Sequence, residues 1–360
     1  MLRAALLYLS ERRGLRDRLL RRRFARAAAR RFVAGDTLDE AIQVARGLNA
    51  RGMRVSLDFL GESVTSVAEA ERATEAHLEA VERIAADGVR ASLSLKLTQL
   101  GLDLDETLCA THLARVVGRA ERHGIFVRID MERSRHVDAT LRLHRRLFAQ
   151  HRNLGVVLQS CLRRSESDAR ECCALGAPVR VVKGAYREPE SVAFPRKRDV
   201  DVQYVRLVEI LLRCGVPVAV ATHDERIIER AKEMARARGL GPAAPGAPPE
   251  AADGPVPGAA APRSAAGPVP AAAARAAPAS ASPLRDARAA HPFDNPPFEF
   301  QMLYGVRRDL QERLVAEGWE VRVYVPYGTD WYPYFMRRLA ERPANVTFLL
   351  RALWREFGRR

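Results

Sequence analysis

Two adjacent arginines near the end of the chain are the side chains best suited to hold an anionic group. Arg337 and Arg338 lie within Val321–Leu339, which reads as a buried strand, a turn and an aromatic segment. Two guanidinium groups near the C-terminal end of a strand form a fork that fits a carboxylate. Surface charge is the alternative interpretation, because Arg-Arg pairs recur in this chain. The density of aromatic residues in the same stretch favours a pocket. They are Tyr324, Tyr327, Trp331, Tyr332 and Tyr334.

The few lysines are a second set of candidate reactive groups. The chain has 55 arginines and only four lysines, Lys96, Lys183, Lys197 and Lys232. Because arginine supplies nearly all of the positive charge, a lysine inside an apolar run is a candidate catalytic residue. Burial of Lys96 or Lys183 would lower the pKa of the amine and permit a Schiff base with a carbonyl substrate. The alternative is that Lys96 forms an ion pair with Asp130 or Glu62.

The elements that must position these residues are strand-length apolar runs that alternate with segments of helical period. The predicted strands are Arg54–Leu60, Ala91–Leu97, Ile125–Ile129, Gly155–Gln159, Val179–Val182, Val216–Ala221, Phe298–Tyr304 and Val321–Val325. The helical segments include Ala68–Ala86, Asp105–His123, Asp138–His151, Asp199–Cys214 and Glu225–Arg238. Such alternation implies parallel pairing with right-handed crossovers, and eight units favour a closed α/β barrel, the (β/α)8 or TIM fold, over an open sheet.

Polar side chains lie at or just after the C-terminal end of nearly every predicted strand. In a (β/α)8 barrel the active site lies at the C-terminal ends of the strands, so these residues are candidates for function. In chain order they are Glu62, Lys96, Asp130, Gln159, Lys183, Tyr186, Thr222, His223, Asp224, Gln301 and Tyr324. No G-x-G-x-x-G sequence follows a predicted strand, so a Rossmann dinucleotide site has no support.

The chain divides into four predicted regions. Residues 1–50 form a basic helical arm, in which residues 1–31 hold eleven arginines against two acidic residues, and Asp36 or Thr37 caps a helix that begins at Leu38. Residues 51–238 supply barrel strands 1–6, and 291–360 supply strands 7–8 and C-terminal helices. Residues 239–290 are rich in Ala, Pro and Gly without apolar periodicity, which predicts a disordered insertion. A partner-binding tether is the alternative for that segment.

Charge and cysteine content limit the partners and the compartment. The net charge of +15 and the basic arm are typical of peripheral contact with anionic lipid, while a transit peptide is an alternative. Nucleic acid is not expected, since no recognised DNA- or RNA-binding motif occurs. No apolar run is long enough to span a membrane. The five cysteines lack metal-ligand spacing and are interpreted as small core residues in a reducing compartment. No metal site is therefore expected.

Eight ordered motifs resemble those of the proline dehydrogenase family, in particular its short monofunctional bacterial form. They are SLDFLGE (56–62), SLKLTQLG (94–101), RIDME (128–132), VLQSCL (157–162), VRVVKGAYREP (179–189), ATHD (221–224), FEFQMLYGVR (298–307) and YVPYGTDWYPYFMRRLAERP (324–343). The resemblance implies a distorted (β/α)8 barrel with N-terminal helices that binds FAD without a covalent bond. It also implies oxidation of L-proline to Δ1-pyrroline-5-carboxylate by hydride transfer to the flavin N5 atom, with electrons passed to a membrane quinone. The implied localisation is cytoplasmic, at the inner face of the cell membrane.

The resemblance assigns roles to residues of the matching motifs. Asp130 and Tyr186 would be the catalytic pair. The substrate would be held by Lys96, Arg337, Arg338 and Tyr324, with Ala185 and Leu303 as apolar walls and Glu62 as a gate that pairs with Arg337. The flavin would be lined by Met131, Gln159, Arg180, Val182, Lys183, Gly184, Thr222 and His223. Asp130 would keep Lys96 charged and oriented. A Schiff-base lyase on the same barrel and a basic membrane or nucleic-acid adaptor are the alternative classes.

Overall fold

The computed structural model describes residues 29–242 and 293–341. The predictions made for the basic arm up to residue 28, for most of the 239–290 insertion and for the helices after residue 341 lie outside the described residues. No helix within the described ranges is long and apolar enough to cross a membrane.

Parallel strands close into a barrel in which each strand neighbours the next along the chain. In the described part of the chain the strands number eight: β1 (Arg54–Phe59), β2 (Ala91–Leu95), β3 (Val127–Ile129), β4 (Leu154–Gln159), β5 (Val179–Val182), β6 (Val218–Ala221), β7 (Phe298–Leu303) and β8 (Val321–Tyr327). β1 pairs with β2 on one side and with β8 on the other, which closes the sheet. The predicted (β/α)8 barrel is confirmed, with strand bounds within a few residues of those expected.

The described residues also contain nine α-helices that surround the barrel. They are α1 (Leu38–Asn49), α2 (Val67–Ala86), α3 (Glu106–Arg122), α4 (Val137–Phe148), α5 (Ser165–Leu175), α6 (Lys197–Cys214), α7 (Glu225–Arg236), α8 (Arg308–Ala316) and α9 (Trp331–Glu341). Helix α1 begins as predicted: Thr37 is its N-cap, and the Thr37 and Glu40 side chains form a reciprocal capping box. A short 3-10 turn, Leu97–Leu100, follows β2 where the sequence predicted two more strand residues.

The two faces of the barrel strands differ in polarity. In β1, Val55 and Leu57 belong to the apolar cluster shared with the helices, whereas Ser56 and Asp58 are buried polar residues on the other face. Polar side chains of the second face make contacts between strands that are not neighbours. Arg180 of β5, for example, donates to Ser94 Oγ of β2 at 3.1 Å. Such contacts cross the barrel, so the barrel interior is polar and the apolar core lies between strands and helices.

The interpretation of all five cysteines as small core residues is wrong for two of them. Cys173, near the end of α5, and Cys214, the last residue of α6, are joined by a disulfide, with their Cα atoms 5.8 Å apart. The two helices pack side by side, and this proximity of their C-terminal ends is invisible in the sequence spacing. Cys109 and Cys172 are buried as expected, and Cys161 is partly buried. Cysteine content therefore does not support the inferred reducing compartment.

Candidate active site

Lys96 lies at the C-terminal end of the barrel between two carboxylates. Its Nζ atom is 2.8 Å from Asp58 Oδ1 and 3.5 Å from Asp130 Oδ2. Both neighbours come from strand ends: Asp58 belongs to β1, and Asp130 directly follows β3. Burial opposes a charge on Lys96, but the two carboxylates outweigh it and raise the pKa of the ammonium above its ordinary value. Lys96 is therefore a fixed cation.

Asp130 is shared among three partners from different strands. Its Oδ1 atom accepts from Arg180 Nη1 at 2.7 Å, and its Oδ2 atom accepts from the Tyr324 hydroxyl at 2.6 Å. Arg180 also lies over the Tyr324 ring, 5.3 Å from its centroid. The Tyr324 hydroxyl is 3.4 Å from Lys96 Nζ. These four predicted site residues form one network across the barrel mouth.

Glu62 joins two further predicted residues above this network. Its Oε1 atom accepts from Arg337 Nη1 at 2.8 Å, so the pair that the resemblance implied is present. The Tyr186 hydroxyl is 3.5 Å from Glu62 Oε2, and the Arg337 guanidinium lies 5.7 Å from the Tyr186 ring centroid. Burial would raise the pKa of Glu62, but Arg337 outweighs it and, with a smaller contribution from Lys96, lowers the pKa below its usual value. Glu62 and Lys96 thus lie within electrostatic reach of each other.

Arg338 is buried beside its neighbour in a different contact. Its guanidinium lies over the ring of Tyr334, 4.9 Å from the centroid. Tyr334 belongs to an apolar cluster at the barrel mouth that also includes Trp331 and Phe335 of α9. Both arginines of the predicted pair are at most 9% exposed, which is incompatible with ordinary surface charge. Contact of Arg338 with a substrate carboxylate stays a prediction.

The residues predicted to line a flavin lie around the C-terminal ends of β3–β6. Gln159 donates to the backbone carbonyls of Met131 and Glu132 at 3.0 and 2.7 Å. Gly184 has a φ of +111°, and a Cβ there would overlap the Cys161 sulfur, so glycine is required at this turn. Thr222 accepts from the Asp224 N–H at 3.1 Å.

The remaining residues predicted to line a flavin also lie at these strand ends, which together form the rim of the barrel between β3 and β6. The Nε2 atom of His223 accepts from the Leu303 N–H at 3.1 Å, which links β6 to the end of β7. Lys183 is held by Asp201 and Asp224 at 2.7 and 2.9 Å. Val182 and Ala185 are partly buried on either side of Lys183 and Gly184. Flavin contact by any of these residues stays a prediction.

Sequence reasoning missed two buried carboxylates of the site. Asp58 is the closer partner of Lys96, although Asp130 was the residue expected to orient it. Glu132 accepts from both the N–H and the hydroxyl of Thr98. A signal for Asp58 was present, because RVSLDF alternates polar and apolar residues with the period of a strand. An apolar run predicts the strand but does not by itself show that Ser56 and Asp58 share a polar face.

The chain matches a family model and individual relatives over most of its length. A family model described as "Proline dehydrogenase" matches residues 41–244 and 270–351. The chain is 36% identical over 353 residues to "Proline dehydrogenase 1" of Bacillus subtilis (strain 168), which covers 98% of this chain and 99% of that protein. It is 37% identical over 330 residues to "Proline dehydrogenase" of Deinococcus radiodurans, which covers 90% and 89%.

A solved structure shares the fold. Proline utilization A (PutA) from Bdellovibrio bacteriovorus superposes with a TM-score of 0.68 at 21% identity, over 88% of this chain and 32% of that one. The chain therefore spans about a third of that larger protein. Given the closed barrel and relatives that align over nearly the full length, the chain belongs to the proline dehydrogenase family.

Proposed function

We propose that this chain oxidises L-proline to Δ1-pyrroline-5-carboxylate with bound FAD and passes the electrons to a membrane quinone. One observation carries the proposal: Lys96 contacts Tyr324, Glu62 contacts both Arg337 and Tyr186, and electrostatic interactions join these two sets into one polar cluster at the barrel mouth. In a member of this family, such a cluster suits an amino acid that carries one carboxylate and a small apolar ring.

The substrate carboxylate would be held by fixed cations. Lys96 and Arg337 are both buried and charged, and Arg338 lies next to Arg337 on α9. Cations held by surrounding carboxylates are already oriented, so little conformational entropy is lost when a substrate binds. Glu62 would act as a gate, because its contact with Arg337 ties the β1–α2 loop to α9.

Asp130 and Tyr186 would have different tasks at the reacting centre. Asp130 fixes Tyr324 and Arg180, so it sets the position of the ring against which the substrate packs. Burial and the nearby Glu62 raise the pKa of Tyr186, so its hydroxyl stays protonated and can donate a hydrogen bond. The oxidation removes a hydride from the ring carbon next to nitrogen and a proton from the amine. The substrate must react as the neutral amine, and the proton that its ammonium group loses passes to solvent.

The rim between β3 and β6 has groups that fit FAD. Arg180 is a buried cation with a charged partner, which would favour the acceptance of electrons beside it. The turn at Gly184 has no room for a side chain, so its backbone can approach a flat ring closely. Met131, Gln159, Val182, Lys183, Thr222 and His223 would complete the binding surface. When bound, FAD supplies the acceptor for the hydride.

The Schiff-base alternative is disfavoured by the state of its lysines. A lysine nucleophile must be a neutral amine, which requires a lowered pKa. Lys96 is paired with two carboxylates, which raise its pKa, and Lys183 is held by Asp201 and Asp224. Both lysines are thus engaged by carboxylates.

Transfer to a quinone would take place at a membrane surface. The basic arm carries a strong local excess of arginine, which would attract anionic headgroups. Flotation with vesicles that contain phosphatidylglycerol, but not with purely zwitterionic vesicles, is expected for the full chain. Equal flotation with both vesicle types would contradict this part of the proposal.

The decisive experiment is anaerobic titration of the purified protein with L-proline. The protein should carry flavin absorbance, L-proline should bleach it, and mass spectrometry should detect a product two hydrogens lighter than proline. D-proline is the matched control, because it presents the same groups with the wrong geometry. A protein without flavin, or a flavin that L-proline does not reduce, would overturn the proposed function.

A further inference from the structure

The loop that carries Glu62 is held by hydrogen bonds to the turn that follows β2. The loop joins β1 to α2, and Glu62 lies near its midpoint. The Ser63 N–H donates to Thr98 Oγ1 at 3.0 Å, and the Val64 N–H donates to the Thr98 carbonyl at 3.3 Å. Ser63 has a φ of +55°, a left-handed conformation that a serine adopts only when its surroundings enforce it. Thr98 is thus the anchor of the loop.

The same turn is also attached to Lys96. Gln99 accepts from the Lys96 N–H at 3.2 Å and donates to the Phe59 carbonyl at 2.7 Å. Thr98 and Gln99 both lie in the 3-10 turn Leu97–Leu100, directly after Lys96. The turn therefore links the base of the Glu62 loop to the backbone of a predicted substrate cation.

Glu132 holds this turn from the barrel side. Its Oε1 atom accepts from Thr98 Oγ1 at 2.6 Å, and its Oε2 atom accepts from the Thr98 N–H at 3.1 Å. Glu132 is 4% exposed, and burial is the main reason that its pKa is raised to about 7. A carboxylate is costly to bury, so a position that retains one between a turn and the active site is a candidate for a specific task.

We propose that Glu132 and Thr98 are positioning residues that hold Glu62 in contact with Arg337 and so set the affinity for the substrate carboxylate. The chain of contacts runs from Glu132 to Thr98, then through Ser63 to the loop, and from Glu62 to Arg337. Neither Glu132 nor Thr98 needs to touch the substrate. The inference deepens the proposed function, because the consequence for affinity rests on proline as the substrate.

Amide hydrogen exchange of the flavin-loaded enzyme tests the anchor without reference to catalysis. In Thr98→Val the Ser63 amide loses its acceptor, so exchange of the peptide that spans residues 60–66 should be about fivefold faster, the size expected for one hydrogen bond. Thr98→Ser retains the hydroxyl and should restore slow exchange. Thr140→Val removes a buried threonine hydroxyl from α4 and is the matched control. Unchanged exchange in Thr98→Val would overturn the anchor.

Steady-state kinetics tests the consequence for substrate. Thr98→Val and Glu132→Gln should each raise KM for L-proline about fivefold with kcat within about twofold of wild type, because only preorganisation is lost. In a Glu62→Ala background the Thr98 substitution should add nothing, since the gate is already absent. An equal KM increase in both backgrounds would overturn the coupling to Glu62. Absence of proline oxidation in the wild type would refute the proposed function. The hydrogen-exchange result would still test whether Thr98 anchors the Glu62 loop.

Discussion

The two carboxylates beside Lys96 have different partners and therefore different roles in the site. Asp130 is occupied by Arg180 and the Tyr324 hydroxyl, whereas Asp58 is fully buried and makes the shorter contact with Lys96. Burial raises the pKa of Asp58, and Lys96 opposes that effect. The two groups therefore stabilise each other's charge. We infer that Asp58 is the main counter-charge of Lys96 and that Asp130 chiefly orders Tyr324 and Arg180.

Asp58→Asn should make proline binding sensitive to pH. Without Asp58, burial of Lys96 is opposed mainly by Asp130, so the pKa of Lys96 falls and its charge is lost as pH rises. The ratio of variant to wild-type KM for L-proline should increase by about tenfold or more between pH 7 and pH 10. Asp130→Asn leaves the closer ion pair intact and should give a ratio that does not change with pH. A constant ratio for Asp58→Asn would contradict this assignment.

Glu132 should make the stability of the protein fall as pH rises. Its pKa of about 7 in the folded chain lies above the ordinary glutamate value of 4.5, so between these values the folded state binds more protons than the unfolded state. Stability from this group is fully present below the ordinary value and declines toward pH 7. Between pH 5 and pH 8 the wild type should lose about 2–3 kcal/mol more of its free energy of unfolding than Glu132→Gln. Urea unfolding at both pH values measures the free energy of unfolding. Equal losses in the wild type and in Glu132→Gln would refute this role of Glu132.

At the scale of elements, the segment before α1 supports the helix that carries Arg337. Phe32 and Val33 belong to the same apolar cluster as the aromatic residues of α9. The Ala34 N–H donates to the Pro326 carbonyl, and the Gly328 N–H donates to the Gly35 carbonyl, both at 2.9 Å. These contacts tie the segment to the end of β8. Helix α9 is thus held at the barrel mouth from two sides.

Gly305→Ala should loosen this support. Gly305 has a φ of +73°, and a Cβ there would overlap the carbonyl oxygen of Arg31, so the segment must move. We expect a loss of about 2–4 kcal/mol in the free energy of unfolding, together with a higher KM for L-proline. Gly88 has a φ of +60° with nothing near its virtual Cβ, so Gly88→Ala carries the conformational strain alone, about 1 kcal/mol, with unchanged KM. Equal effects of the two substitutions would show that packing of the segment does not matter.

At the scale of the whole molecule, the barrel interior is a stack of charged layers. The active-site network occupies the C-terminal end, and a second network occupies the N-terminal end. There, Arg322 Nε lies 3.0 Å from both Glu299 oxygens, and its Nη2 donates to the Asp294 carbonyl at 2.6 Å. Arg322 and Glu299 are at most 2% exposed. Within the described part of the chain, the hydrogen bonds of Arg322 and Glu299 in this N-terminal network go to residues other than the predicted substrate-binding ones.

Glu299→Gln should therefore destabilise the protein without a change in substrate affinity. Removing one partner of a buried ion pair leaves the other charge uncompensated, which costs about 3–5 kcal/mol. Denaturant unfolding measures this loss, and Glu299→Gln/Arg322→Met should lose less than the sum of the two single variants because the shared interaction is counted twice. KM for L-proline should stay at the wild-type value. A specific rise in KM would show that the two layers are coupled.

More of the fold than of the candidate site could be predicted from the sequence. Each strand has a continuous buried run, and Thr37 with Glu40 marks the start of α1 by local chemistry. Such signals act over a few residues, so a sequence displays them directly. The bond between Cys173 and Cys214 spans 41 residues and depends on the packing of two helices. Nothing in the local sequence carries that information.

The order of the elements, the eight βα units of the barrel and the family could all be inferred from the sequence, because strand period and motif order are properties of a linear chain. The strand pattern also indicates that Lys96, Asp130 and Tyr324 lie at or near strand ends, where parallel closure brings them together, whereas Arg337 lies on α9. The folded chain was needed to see that Asp58 is the nearest carboxylate to Lys96 and that Glu132 accepts hydrogen bonds from Thr98. Which carboxylate lies closer to a cation depends on small differences in distance across the barrel, such as 2.8 Å from Lys96 to Asp58 against 3.5 Å to Asp130. Those distances depend on the register and tilt of every strand at once.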